Sequence, residues 1–189
     1  MKVLILYDRE SRDCNGADFY SQIRENPALS GHDTDSVLLS CDEINPCTGC
    51  FGCWVKTPGA CVITKDSANE AAAKFIQADV VIILSRITYG GFSADVKSFL
   101  DRNISSILPF FKTIGGEMHH EKRYGKYPCW VAIGFGDYTD NERDTFTGLV
   151  KRNVINLHAP KHLTLTAHDK DGLLAPLDQI PDFLEEVSA

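Results

Sequence analysis

Short apolar runs alternate with amphipathic stretches along this chain. Residues 3–7, 33–39, 80–84, 128–134 and 162–166 read as strands. The run 80–84 is apolar at every position, the pattern of a strand buried on both faces, whereas 162–166 alternates. Between them lie helical patterns. Residues 16–25 form a modest helix that ends before Pro27. Ser67 with Glu70 makes a capping box for an alanine-rich helix to Gln77, and Thr139 with Glu142 makes another. Ser93 caps a helix whose apolar face is Val96, Phe99, Leu100, Ile104 and Ile107. Phe146, Leu149, Val150, Val154 and Leu157 give the next apolar face, and Ile180, Phe183, Leu184 and Val187 a closing helix. Residues 41–65 and 114–126 lack clear periodicity and read as loops.

Five strands alternating with five helices predict an α/β fold, a three-layer sandwich around a parallel sheet. Right-handed crossovers favour the strand order 2-1-3-4-5 in one domain over residues 1–189. The loops after strands 1, 3 and 4 (residues 8–16, 85–91 and 134–138) then meet at the carboxyl edge, where such sheets bind ligands.

Composition narrows the function. A net charge of −7 argues against a nucleic-acid face and a basic membrane patch. No apolar run approaches a membrane span, and Met1 leads straight into a strand, so a cytoplasmic protein without a signal peptide is expected. The seven cysteines then read as reduced thiols or metal ligands, not as a disulfide framework.

The stretch 85–102 (SRITYGGFSADVKSFLDR) resembles the flavin-binding segment of flavodoxin-like NAD(P)H-dependent FMN reductases, roughly Ser-Pro-x-Tyr, small residues, then Lys-x-x-x-Asp-Arg. The segment 47–61 (CTGCFGCWVKTPGAC) resembles one found in that family and in its iron–sulfur flavoprotein branch. The resemblance implies FMN at the carboxyl edge of the sheet, NAD(P)H as co-substrate, a flavin, quinone or similar small electron acceptor, and a homodimer or homotetramer. The residues it places at the cofactor are Arg9, Ser11, Asn15, Gly16, Ser85, Arg86, Ile87, Thr88, Tyr89, Gly90, Gly91, Phe135 and Gly136. Gly90 and Gly91 permit close main-chain approach to a flat ring, and Tyr89 offers an aromatic surface. No side chain is assigned as a general base, because the flavin carries the hydride chemistry. Lys97, Asp101 and Arg102 read as a helix-end salt-bridge set. The first loop departs from the family's Gly-Ser-x-Arg pattern: Asp8, Glu10 and Asp13 would oppose a phosphate that Arg9, Arg12 and Arg86 would attract.

Cys47, Cys50, Cys53 and Cys61 stand at the compact CxxCxxC spacing that suits a [4Fe–4S] cluster better than zinc. The same loop also reads as a plain lid with partly buried thiols, and an electron-transfer protein or a flavinless binding module are the competing functions. The loop is expected to lie near the flavin, as a lid or a subunit contact, with no cluster after aerobic handling. His119 and His120, beside Glu117 and Glu121, read as part of a solvated loop.

Overall fold

The computed structural model describes residues 1–188. β1 (Lys2–Asp8), β2 (Asp33–Leu39), β3 (Val80–Arg86), β6 (Cys129–Phe135) and β7 (His162–Ala167) form a parallel sheet in the order β2-β1-β3-β6-β7. This is the expected order, because an antiparallel hairpin, β4 (Ile107–Ile114) and β5 (Glu117–Lys122), is inserted before the fourth strand of the main sheet. Register pairs Val3 with Val80 and Ser85 with Gly134, so the ends of β1, β3 and β6 lie side by side.

Helices on both faces explain why β3 and β6 are apolar at nearly every position. On one face Leu4, Leu6, Val81, Ile83 and Trp130 pack under α3 (Ala68–Gln77), α4 (Ala94–Arg102) and α5 (Asp140–Asn156). On the other, Val3, Ile5, Ile82 and Ile133 pack under α1 (Phe19–Arg24), α6 (Lys170–Leu177) and α7 (Gln179–Ser188). The one-residue alternation from Val3 to Leu6 feeds both layers. Each fully buried Phe, Leu or Ile contributes on the order of 1.5–3 kcal/mol.

Several elements differ from the sequence expectation. Residues 114–126 are not a loop. Gly115 and Gly116, at φ 59° and 87°, make the tight turn of the β4–β5 hairpin, where both central residues need positive φ. The helix from Ser93 stops at Arg102, Ile104 lies in a 3-10 turn, and Ile107 begins β4. Its helical spacing is a coincidence of that turn. α1 starts at Phe19 because Asp18 caps it, its carboxylate accepting from the Ser21 amide at 2.8 Å. α6 was not expected; Asp169 caps it, accepting from the Gly172 amide. Ser67 does not cap α3 with its side chain but donates to the Glu43 carbonyl. The Thr139–Glu142 capping box is present in full.

Candidate functional site

The first loop leaves the sheet at Asp8. Its fully buried carboxylate accepts from the Ser11 amide (2.9 Å), the Ser11 hydroxyl (2.6 Å) and the Arg86 amide (2.8 Å). It thus caps the 3-10 turn Arg9–Arg12 and ties the end of β1 to the end of β3. Burial pushes this carboxyl up, against the downward pull of its donors. Arg9, at the surface, bonds Asp42 at 2.7 Å and Asp95 at 3.1 Å. Arg12 turns away to lie across the Tyr7 and Tyr20 rings and donates to the Tyr7 hydroxyl. Asn15 and Gly16 are exposed at positive φ.

Arg86 joins the three loops. Its guanidinium pairs with Glu10 of the first loop. Its aliphatic stem covers Gly136 after β6, where an added Cβ would sit 3.3 Å from Arg86 Cγ. Ile87 donates its amide to the Phe135 carbonyl at 2.9 Å. Ser85 Oγ accepts from the Ser93 amide at 2.9 Å, which fixes the start of α4. Four of the expected residues, Ser11, Ser85, Ile87 and Phe135, are therefore interior supports with their groups already engaged.

Beyond Ile87 the chain makes a two-residue turn. Thr88 and Gly91 exchange both backbone hydrogen bonds, at 3.0 and 2.9 Å. Tyr89 and Gly90 between them have φ 50° and 74°, both left-handed, so the turn is of the primed type. Tyr89 is 92% exposed. A Cβ at Gly90 would lie 2.8 Å from Thr145 Cβ, so this glycine is required by α5 as well as by φ. Among the described residues, the Tyr89 and Gly90 amides have no partner within the chain. An exposed ring beside two free amides fits a flat heterocycle with a polar edge. The two guanidinium groups of Arg9 and Arg86, each half exposed, fit an anionic tail once their carboxylate partners give way.

The cysteine segment runs beside α4, with Cys61 against Arg102 at the C-terminal end of that helix. It includes α2 (Gly52–Val55), entered through Phe51 at φ 56°. Cys47, Cys50, Cys53 and Cys61 all line one apolar cavity of about 60 Å³, backed by Ile63, Arg102 and Ile104. Cys53 and Cys61 are buried, and Cys47 and Cys50 are exposed. Burial and then the three other thiols push the Cys53 thiol up, while the Gly52 amide and Thr48 hydroxyl draw Cys50 down. Among the described residues, no three His, Cys, Asp or Glu side chains stand close enough to share one metal ion. Four thiols spread around an apolar cavity suit a multi-iron cluster better than a single zinc, which needs all its ligands within about 2.3 Å. Trp54 pins the segment, donating to the Ile107 carbonyl at 3.0 Å and packing against His120. Cys47 and Gly49 line a groove along α4 together with Phe92, the residue that follows the Thr88–Gly91 turn, and with Lys97 and Leu100.

Two further expectations change. Arg102 is not part of a surface ion-pair set: it and Asp66 form a buried pair at 2.7 Å, with side chains 1% and 2% exposed. Nothing in the spacing of two residues so far apart in sequence signals this. His119 and His120 are not in a solvated loop: His119 is buried in β5, and His120 donates from Nδ1 to the Leu108 carbonyl between Trp54 and Phe111.

Parallel strands in this order, helices on both faces and loops gathered at the carboxyl edge define a flavodoxin-like α/β protein. The model of the NADPH-dependent FMN reductase family matches residues 1–123, and the chain belongs to that family. It is 38% identical over 76 residues to an iron–sulfur flavoprotein of Methanocaldococcus jannaschii, covering 40% of this chain and 38% of that one. It is 30% identical over 126 residues to an iron–sulfur flavoprotein of Archaeoglobus fulgidus, covering 57% and 56%. The chain thus matches only about half of these relatives' length, or less. A crystal structure of an azoreductase from Bacillus anthracis shares the fold, with TM-score 0.63 at 14% identity over 99% of this chain and 96% of that one.

Proposed function

We propose that this chain is an FMN-dependent oxidoreductase that takes reducing equivalents from NAD(P)H and delivers them to a flavin, quinone or similar small acceptor. The observation that carries this reading is the Thr88–Gly91 turn, with its exposed Tyr89 ring and two unclaimed amides, at the point where Arg86 joins three loops. Bound FMN would supply the hydride and electron chemistry. The chain's part is to hold and orient it: the residue 87–91 backbone at the ring edge, Tyr89 at its face, and Arg9, Arg86, Asn15 and Gly16 towards the phosphate. Family membership supports the cofactor and the donor.

Reconstitution with FMN followed by desalting tests the site, and about one FMN should stay with each chain. Tyr89→Ala should weaken binding about tenfold, the equivalent of one aromatic contact, with no change in melting temperature because the side chain is exposed. Loss of all flavin from the wild-type chain would sink the proposal. Stopped-flow mixing with NADH and NADPH then identifies the donor; flavin reduced by neither, yet reduced by a one-electron donor, would favour an electron-transfer protein.

A second reading rests on the shared cavity of Cys47, Cys50, Cys53 and Cys61: these thiols hold a [4Fe–4S] cluster. The iron–sulfur flavoprotein relatives support it. Anaerobically made protein should contain about four irons and matching acid-labile sulfide, lost in Cys50→Ser.

A further inference from the structure

Arg102 has five N–H donors, and all five are used. The Nε–H donates to Cys61 Sγ at 3.1 Å. The two terminal nitrogens grip both Asp66 oxygens at 2.7 and 3.1 Å, and each also reaches a backbone carbonyl, Asn45 at 2.8 Å and Ile63 at 3.0 Å. A lysine cannot reproduce this planar fork. Asn69 completes the clamp on Cys61 from the other side. Its carbonyl accepts from the Cys61 amide at 2.8 Å and its amide donates to the Cys61 carbonyl at 2.9 Å.

The four cysteines are therefore unequal. Cys61 is held by sulfur and by backbone, and its sulfur alone receives a charged hydrogen bond. Cys47 and Cys50 lie on the exposed wall of the same cavity. Burying a paired guanidinium costs desolvation, and that cost is hard to justify for a plain loop, where apolar packing would serve as well. Hydrogen bonds to ligand sulfurs are one of the levers that set the potential of an iron–sulfur centre, because they draw electron density from the sulfur.

We propose that Arg102 is a positioning residue for the cysteine site: it fixes Cys61 as the anchored ligand and, through its Nε–H bond to that sulfur, raises the reduction potential of the group held there. The proposal rests on the cluster reading above. Reduction adds one electron, supplied by dithionite in the test, and no atom is transferred. Asp66 balances the guanidinium charge, so the directed hydrogen bond, not net charge, carries the effect.

The test uses full-length protein made and loaded anaerobically. Arg102→Lys keeps the charge and the Asp66 partner but loses the bond to sulfur. Its cluster midpoint should fall by at least a tenfold change in the reduction equilibrium, about 59 mV for one electron. Its iron should also pass to a chelator at least tenfold faster, with FMN content unchanged. An equal midpoint in the folded variant overturns the proposal. The wild-type protein provides a check that no folding defect can mask. With arginine labelled by ¹⁵N in the guanidino group only, pulsed EPR of the reduced protein should show coupling from one guanidinium nitrogen, and absence of that coupling overturns the proposal. Wild-type protein without iron would sink the cluster reading first, and this proposal with it, and the wild-type iron count identifies that case.

Discussion

Two buried aspartates show how local partners set opposite behaviour. Asp8 is pushed up, because burial outweighs its hydrogen bonds from Ser11 and Arg86. At Asp66 burial acts in the same direction, but the Arg102 fork and the Asn45 donors win and hold it at about 2. The folded value for Asp66 lies below the unfolded one, so its contribution to stability is present above about pH 4 and is lost as pH falls through about 2. The contribution is on the order of 2 kcal/mol. Urea unfolding between pH 5 and 2 should show wild-type stability falling across this window. Asp66→Asn should start lower, since it leaves a buried guanidinium without its counter-charge, and lack that component of the decline. Identical slopes would mean that Asp66 titrates normally. None of this was legible from the sequence, where Asp66 and Arg102 sit in separate segments. By contrast, the Ser93 cap is legible in the sequence, because capping is decided by residues three apart.

At the scale of elements, the strands of the main sheet and the capping box of α5 were legible, because they depend on local patterns. Thr139 and Glu142 make both reciprocal bonds of that box. α5 carries Phe146, Val150 and Val154 into the core, so fraying at its start is felt by the sheet. Thr139→Ala should cost about 1 kcal/mol, and a chain of this size should melt roughly 2–4 °C lower. A calorimetric scan checks this, and an unchanged melting temperature would show that the first turn of α5 is independent of the core. The hairpin has a local turn signal, Gly115–Gly116, but no strand pattern beside it. The residues after it, Glu117 to Lys122, are nearly all polar, so they lack a strand's apolar face. Their burial comes from Trp54, His158 and the end of α5: His158 Nε2 bonds the His120 carbonyl, and Asn156 accepts from the His120 amide.

For the whole molecule, the exposed apolar residues concentrate in the additions to the sheet: Phe51 and Val55 at α2, and Phe110, Phe111 and Met118 on the hairpin. Exposed aromatic side chains of this kind mark contact surfaces. A homo-oligomer is therefore expected, and light scattering behind size exclusion measures it. Phe111→Glu with Met118→Glu should shift the assembly towards monomer without loss of FMN. A monomeric wild-type chain would overturn the homo-oligomer.

By itself the sequence determined the sheet, its strand order, and the loops that gather at its carboxyl edge. Those follow from apolar periodicity and from the handedness of crossovers, both local or nearly so. It also placed Tyr89 and Gly90 at the candidate cofactor turn, through a contiguous motif. Only the tertiary structure decided that Gly90 answers to Thr145, that Arg86 closes on Glu10 over Gly136, and that Arg102 is buried with its donors on Asp66 and Cys61. Each of these pairs elements far apart in the chain. A charged side chain carries no mark of whether it will be solvated or enclosed until the segments that supply its partners have folded around it.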